Sequence, residues 1–141
     1  MIKHPVFFAI VLAAVISCGL NEPLTSYEPK SPQEQSLKQT LLDFQDGVNT
    51  LNFVQVENLI HEKAAVMTGR GRKILSKAEY VKILPERLKE NPPIALSAPR
   101  MAVSGDKAEV KIYMARGDSN TLVVFNMKFE NDKWYIQSWQ Y

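Results

Sequence analysis

With 141 residues, the chain has room for one domain and little more. Apolar residues make up 45% and charged residues 23%, ordinary globular values that exclude wholesale disorder. Lys+Arg 17 against Asp+Glu 15 is no footprint for nucleic acid, Cys 1 excludes a disulfide framework or a paired-cysteine zinc site, and His 2 speaks against a histidine-rich metal site. No metal or cofactor is expected.

The chain opens Met1-Ile2-Lys3-His4-Pro5, short and positively charged, and Val6 to Ile16 is then apolar without a break. That run fits the apolar region of a signal peptide and falls short of the roughly 20 residues that cross a bilayer. Val15-Ile16-Ser17-Cys18 follows. It resembles the lipobox of bacterial lipoproteins, and the resemblance implies cleavage before Cys18 and acylation of its thiol and new amine. The cysteine of the box is the single cysteine of the chain. Gly19 stands where this group's inner-membrane retention residue would be Asp, which implies the outer membrane in a two-membrane host, at its periplasmic face or surface. Gly19 to Lys30, with Pro23 and Pro29 and no periodicity, reads as a flexible tether with a reach of about 40 Å. Three segments result: a signal peptide over 1–17, the lipidated cysteine and tether over 18–30, and a domain over 31–141.

Ser31-Pro32-Gln33-Glu34 is a capping box, and Leu37, Leu41, Phe44, Val48 and Leu51 continue it as one apolar helix face ending near Asn52. Val54 to Ile60 predicts a second short helix. Ala64 to Thr68 predicts a strand, Gly69-Arg70-Gly71 a turn, and Arg72 to Leu75 its hairpin partner. Ser76-Lys77-Ala78-Glu79 is a second capping box, opening a helix with Tyr80, Val81, Leu84 and Leu88 as its stripe. Pro85 is expected to kink or shorten that helix, and Asn91-Pro92-Pro93 stops it.

From Ile94 the period changes to two. Strands are predicted over Ile94–Val103, Ala108–Ala115, Thr121–Glu130 and Trp134–Tyr141, joined by turns at Gly105-Asp106, Gly117-Asp118 and Asn131-Asp132. Ala108, Val110, Ile112 and Met114 share a face, as do Val123, Phe125, Met127 and Phe129, and Trp134 and Ile136. The pattern argues an α+β domain in the order α-α-β-β-α-β-β-β-β, its helices packed on one side of a curved antiparallel sheet.

Gly105-Asp106-Lys107-Ala108-Glu109-Val110 and the closing Trp134-Tyr135-Ile136 resemble motifs of the nuclear transport factor 2-like, SnoaL-like (cystatin-like) cone, the fold of ketosteroid isomerases and polyketide cyclases. The likeness covers residues 35–141. In the isomerase branch a helix Tyr donates to an oxyanion and a hairpin Asp shuttles the proton. Aligned on the helices, those positions fall on Phe44 and Thr68, neither of which serves that chemistry. The resemblance therefore implies the fold and argues against the reaction.

His61, beside Glu62, is the one weak catalytic candidate, a general base in a cyclase-, isomerase- or dehydratase-like pocket; its competing reading is a surface histidine at a helix C-terminus. Arg70, Arg72, Lys73 and Lys77 cluster around the hairpin as a solvated turn or an anion contact. Phe44, Met67, Tyr80, Met114, Phe125, Met127 and Trp134 are candidates to line an apolar pocket or to fill the core. Tyr113, Leu122, Trp139 and Tyr141 fall on the opposite sheet face and are candidates for a protein interface or a homodimer. The expectation is a lipid-anchored envelope protein with a non-catalytic binding or scaffolding domain, for a protein partner or a small apolar ligand. An enzyme using His61 and a self-associating envelope protein stand as alternatives, and no nucleic acid is involved.

Overall fold

The computed structural model describes residues 22–68 and 73–140. The expected signal segment and lipobox, the expected turn at Gly69-Arg70-Gly71 with Arg72, and Tyr141 lie outside the described residues. Three helices, α1 (Pro32–Asn49), α2 (Phe53–Leu59) and α3 (Lys77–Glu90), lie on one face of six strands. These are β1 (Ile60–Thr68), β2 (Lys73–Ser76), β3 (Ile94–Ser104), β4 (Lys107–Arg116), β5 (Ser119–Glu130) and β6 (Lys133–Gln140). The sheet order is β2-β1-β6-β5-β4-β3. Every pairing is antiparallel except β1 with β6, which runs parallel and joins the hairpin to the meander.

Local chemistry explains the helix starts. Ser31 Oγ accepts from the Glu34 amide at 3.1 Å, and Asn52 Oδ1 from the Gln55 amide at 3.1 Å. Ser76 and Glu79 form a complete capping box. At α1 the box is half made, because the Glu34 carboxylate turns to the Lys30 amide and the Tyr27 hydroxyl, both at 2.8 Å. Asn52 therefore opens α2 instead of closing α1, and Leu51 leaves the apolar face for an exposed turn at φ 57°. Ile60, expected as the last inward residue of the second helix, is instead the first of β1. Pro85 does not end α3: the helix runs on to Glu90, with Leu84 and Leu88 both buried.

The tether is not free over its second half. Leu24 is buried in the core at 1% exposure, inside a 3-10 turn over Leu24–Ser26. Glu22 C=O accepts from the Ala98 amide at 2.8 Å, and Lys38 Nζ donates to Thr25 and Tyr27 carbonyls. Residues 22–30 thus pack against the domain where a flexible tether was expected, and 18–21 lie outside the described residues. The physical reason lies at β3. As an edge strand it offers unpaired backbone groups. Glu22 takes one, and α1 takes others: Asn49 pairs with both the N–H and C=O of Ile94 at 2.8 Å, and Gln45 accepts from the Leu96 amide at 2.7 Å.

The core lies between helices and sheet. Leu37, Leu41, Phe44 and Val48 of α1 and Tyr80, Leu84 and Leu88 of α3 cover the inner residues of β4, β5 and β6. Phe129, read as inward, is 37% exposed at the far end of β5, where its ring packs at 5.2 Å on the buried Trp134.

Candidate functional site

The concave face of the sheet and the helices define a cone, and its mouth is the site. Phe44 from α1, Met67 and Thr68 from the end of β1, Tyr80 from α3, Met114 from β4 and Trp139 from β6 converge there. Their rings interlock. Tyr80 meets Trp139 edge-on at 5.2 Å, Phe44 meets Phe125 at 5.7 Å, and Phe44 meets Trp139 at 5.9 Å. This aromatic plug fills the space that a cone would otherwise leave open. A cavity of about 40 Å³ remains, enough for about three water-sized atoms. Of the candidate pocket residues, Phe44, Met67, Tyr80 and Met114 line it; Phe125, Met127 and Trp134 are buried core.

Trp139 is the principal correction. Strict alternation from Trp134 and Ile136 sends it outward, yet it is 5% exposed and central to the plug. The β5–β6 register shifts between Phe125↔Trp139 and Met127↔Ile136, so Gln137 is an extra residue in β6. A bulge of this kind reverses the facing of everything beyond it. Tyr113 and Leu122 do lie on the outer face as cross-strand partners, where with Tyr27, Arg100 and Lys111 they line a groove of about 390 Å³.

Two arginines that sequence reasoning did not single out stand at the mouth: Arg87 in the last turn of α3 and Arg116 at the end of β4. Among the described residues, Arg116 Nε is buried with no hydrogen-bond partner, and the Nη2 of the same group reaches only Met114 Sδ, at 3.8 Å. Among the described residues, the other lining side chains include no carboxylate. Their signal in sequence was slight, since each sits at an element end where a basic residue needs no further reason.

His61 lies away from the cone, in a shallow cleft with Glu130 and Tyr135. Its Nδ1 accepts from the Lys63 amide at 3.1 Å, which places the proton on Nε2, and Nε2 donates to the Glu130 carboxylate. Both ring nitrogens are thereby engaged. Lys77 pairs with Glu62 at 2.7 Å, and the hydrogen bond holds the Glu62 carboxyl below its ordinary range. No helix among the described residues is long and apolar enough to cross a membrane.

No protein-family model matches the chain, and no curated protein is similar to it in sequence. Solved structures are similar in shape. A nuclear transport factor 2-like protein from Cytophaga hutchinsonii superposes with a TM-score of 0.68 at 9% identity, over 77% of this chain and 96% of that one. The fold is nuclear transport factor 2-like. A cystatin-fold protein of unknown function from Nostoc punctiforme gives a TM-score of 0.68 at 15% identity, covering 81% and 92% of the two chains. A protein from Shewanella frigidimarina, proposed as a ketosteroid isomerase, gives 0.65 at 16% identity, covering 74% and 94%. Within this nuclear transport factor 2-like cone, Phe44 and Thr68 both face the cavity, and Thr68 Oγ1 points toward the Lys73 carbonyl at 3.5 Å.

Proposed function

We propose that this chain is an envelope lipoprotein, anchored through acyl chains on Cys18, whose cone is a non-catalytic binding module. The observation that supports it is the aromatic plug. A cavity of about 40 Å³ does not admit a ring-sized substrate. Where the isomerase branch keeps an oxyanion donor and a base, this cone has Phe44 and Thr68. His61, engaged at both nitrogens outside the cone, is left with structural work. Binding falls to the mouth of the cone and, for a protein partner, to the outer groove beside Tyr113 and Leu122.

The docked segment changes how the anchor acts. Fully extended, the stretch from Cys18 to Glu22 reaches about 14 Å, so the domain rides against the membrane, the outer one in a two-membrane host. Several acyl chains, at about 0.8 kcal/mol per buried methylene, hold it there firmly.

Palmitate labelling of the host tests the anchor: wild type takes the label and sediments with membranes, and Cys18→Ala does neither. Native mass spectrometry of the chain released from membranes tests the module. A ring-sized ligand leaving on denaturation would contradict the plug. Replacement of His61 by Gln in the host is expected to leave the protein's abundance and phenotype unchanged; loss of phenotype at normal abundance would revive the enzyme reading.

A further inference from the structure

We propose that the mouth of the cone binds a small monocarboxylate, its carboxylate taken by Arg116 and Arg87 and its short apolar tail entering toward Phe44 and Trp139. The inference rests on the reading of the domain as a binding module and names its ligand class.

The guanidinium of Arg116 carries the argument. It is always charged and has five N–H donors in a fixed fork. Among the described residues its Nε is buried without a partner, and Nη2 reaches only a thioether, a weak acceptor. Leaving a buried charged donor unpaired costs free energy that a fold does not ordinarily carry. Lysines elsewhere on the domain find carboxylates, Lys77 with Glu62 and Lys128 with Asp106. No such partner lies within 4.0 Å of Arg87 or Arg116 among the described residues. Both line one opening, so the mouth is a positive rim over an apolar floor.

Shape and donor geometry select the ligand. The floor is aromatic and aliphatic, and about 40 Å³ admits a tail of one or two carbons with the carboxylate left at the rim. The planar fork of an arginine matches a carboxylate in two parallel hydrogen bonds. A phosphate or sulfate has no apolar part to meet the aromatic and aliphatic floor, whereas a monocarboxylate brings both the anion and a tail.

The full chain in detergent micelles is titrated with carboxyl-labelled ¹³C propionate, read by the propionate resonance and by tryptophan emission, Trp139 lying at the cavity. The expected result is a saturable response to propionate and none to propionamide, which has the shape without the charge. Arg116→Met and Arg87→Gln each weaken propionate by about tenfold or more. Without ligand, Arg116→Met leaves Tm unchanged or raised, because the side chain it replaces is partly exposed and its buried Nε has no partner to lose. Equal binding of propionamide, preference for sulfate at equal ionic strength, or no saturable response overturns the proposal. So does a fall in Tm for Arg116→Met with propionate affinity unchanged in Arg87→Gln, which makes the arginines structural. Conversion of the propionate to another species would instead overturn the non-catalytic reading and leave the site standing.

Discussion

Phe125 and Trp139 are cross-strand partners whose side chains enter the core on the same face, although Trp139 stands three residues beyond the inward Ile136. The extra residue, Gln137, makes this geometry, and it supplies the plug that closes the cone. Trp139→Ala is therefore expected to cost about 3–5 kcal/mol, the range for removing a fully buried large aromatic. Urea unfolding measures it. A change within about 0.5 kcal/mol, as for a surface residue, would put the indole back on the outer face.

Leu24 makes the parallel test for the docked segment. Its side chain is 1% exposed, against the core rather than in solvent. Leu24→Ala should cost about 2–4 kcal/mol in the same assay. A residue on a free tether would cost almost nothing, and protease cleavage between Glu22 and Lys30 would then be fast in the wild type.

Gly47 lies in the interior of α1, where alanine is ordinarily about 1 kcal/mol better than glycine. Here the sign reverses. A Cβ at Gly47 would meet Val56 Cγ2 at 2.9 Å and Gln55 Cγ at 3.3 Å, and Val56 is fully buried under α1. Gly47→Ala is expected to destabilise by about 1–2 kcal/mol through overpacking. Adding Val56→Ala should make the double variant more stable than the sum of the two single effects.

Tyr27 ties the segment to α1 through its hydrogen bond to Glu34. Burial, helped by the Glu34 carboxylate, pushes its phenol from 10.0 up to about 12. A raised acid in the fold stabilises below its unfolded value and loses that contribution as pH rises through the folded one. Wild type should thus lose stability between pH 10 and about 12 that Tyr27→Phe does not lose. Denaturation midpoints of the two proteins, compared across that range, give the difference directly; parallel curves would show that the phenol titrates alike in both states.

Much of the architecture is local and so was legible. Ser76 with Glu79, the four-and-three spacing of Leu37, Leu41, Phe44 and Val48, and the alternation of Val110, Ile112 and Met114 each act within one turn or strand. The hairpin turns were equally plain, because Gly105, Gly117, Asn131 and Asp132 all sit at positive φ, where glycine, asparagine and aspartate are the cheapest residues. The site was less legible. Phe44, Met67, Tyr80 and Met114 were found, since helix and strand faces point them inward. Arg87 and Arg116 were not, because their meaning comes from lacking a carboxylate, and only proximity in space decides that.

Local sequence carries the α+β class, the element order, the helix starts at Ser31 and Ser76 and the turns, and the residues ending at Cys18 resemble a lipobox. Each of these depends on neighbours within a few residues. Tertiary structure alone decided that β1 runs parallel to β6, that Gln137 bulges and turns Trp139 inward, that Leu24 returns to the core, and that two arginines share one mouth. These are outcomes of competition between distant segments for the same edge, face or cavity. Burial and hydrogen-bond satisfaction settle that competition over the whole domain, and no short window of sequence contains it.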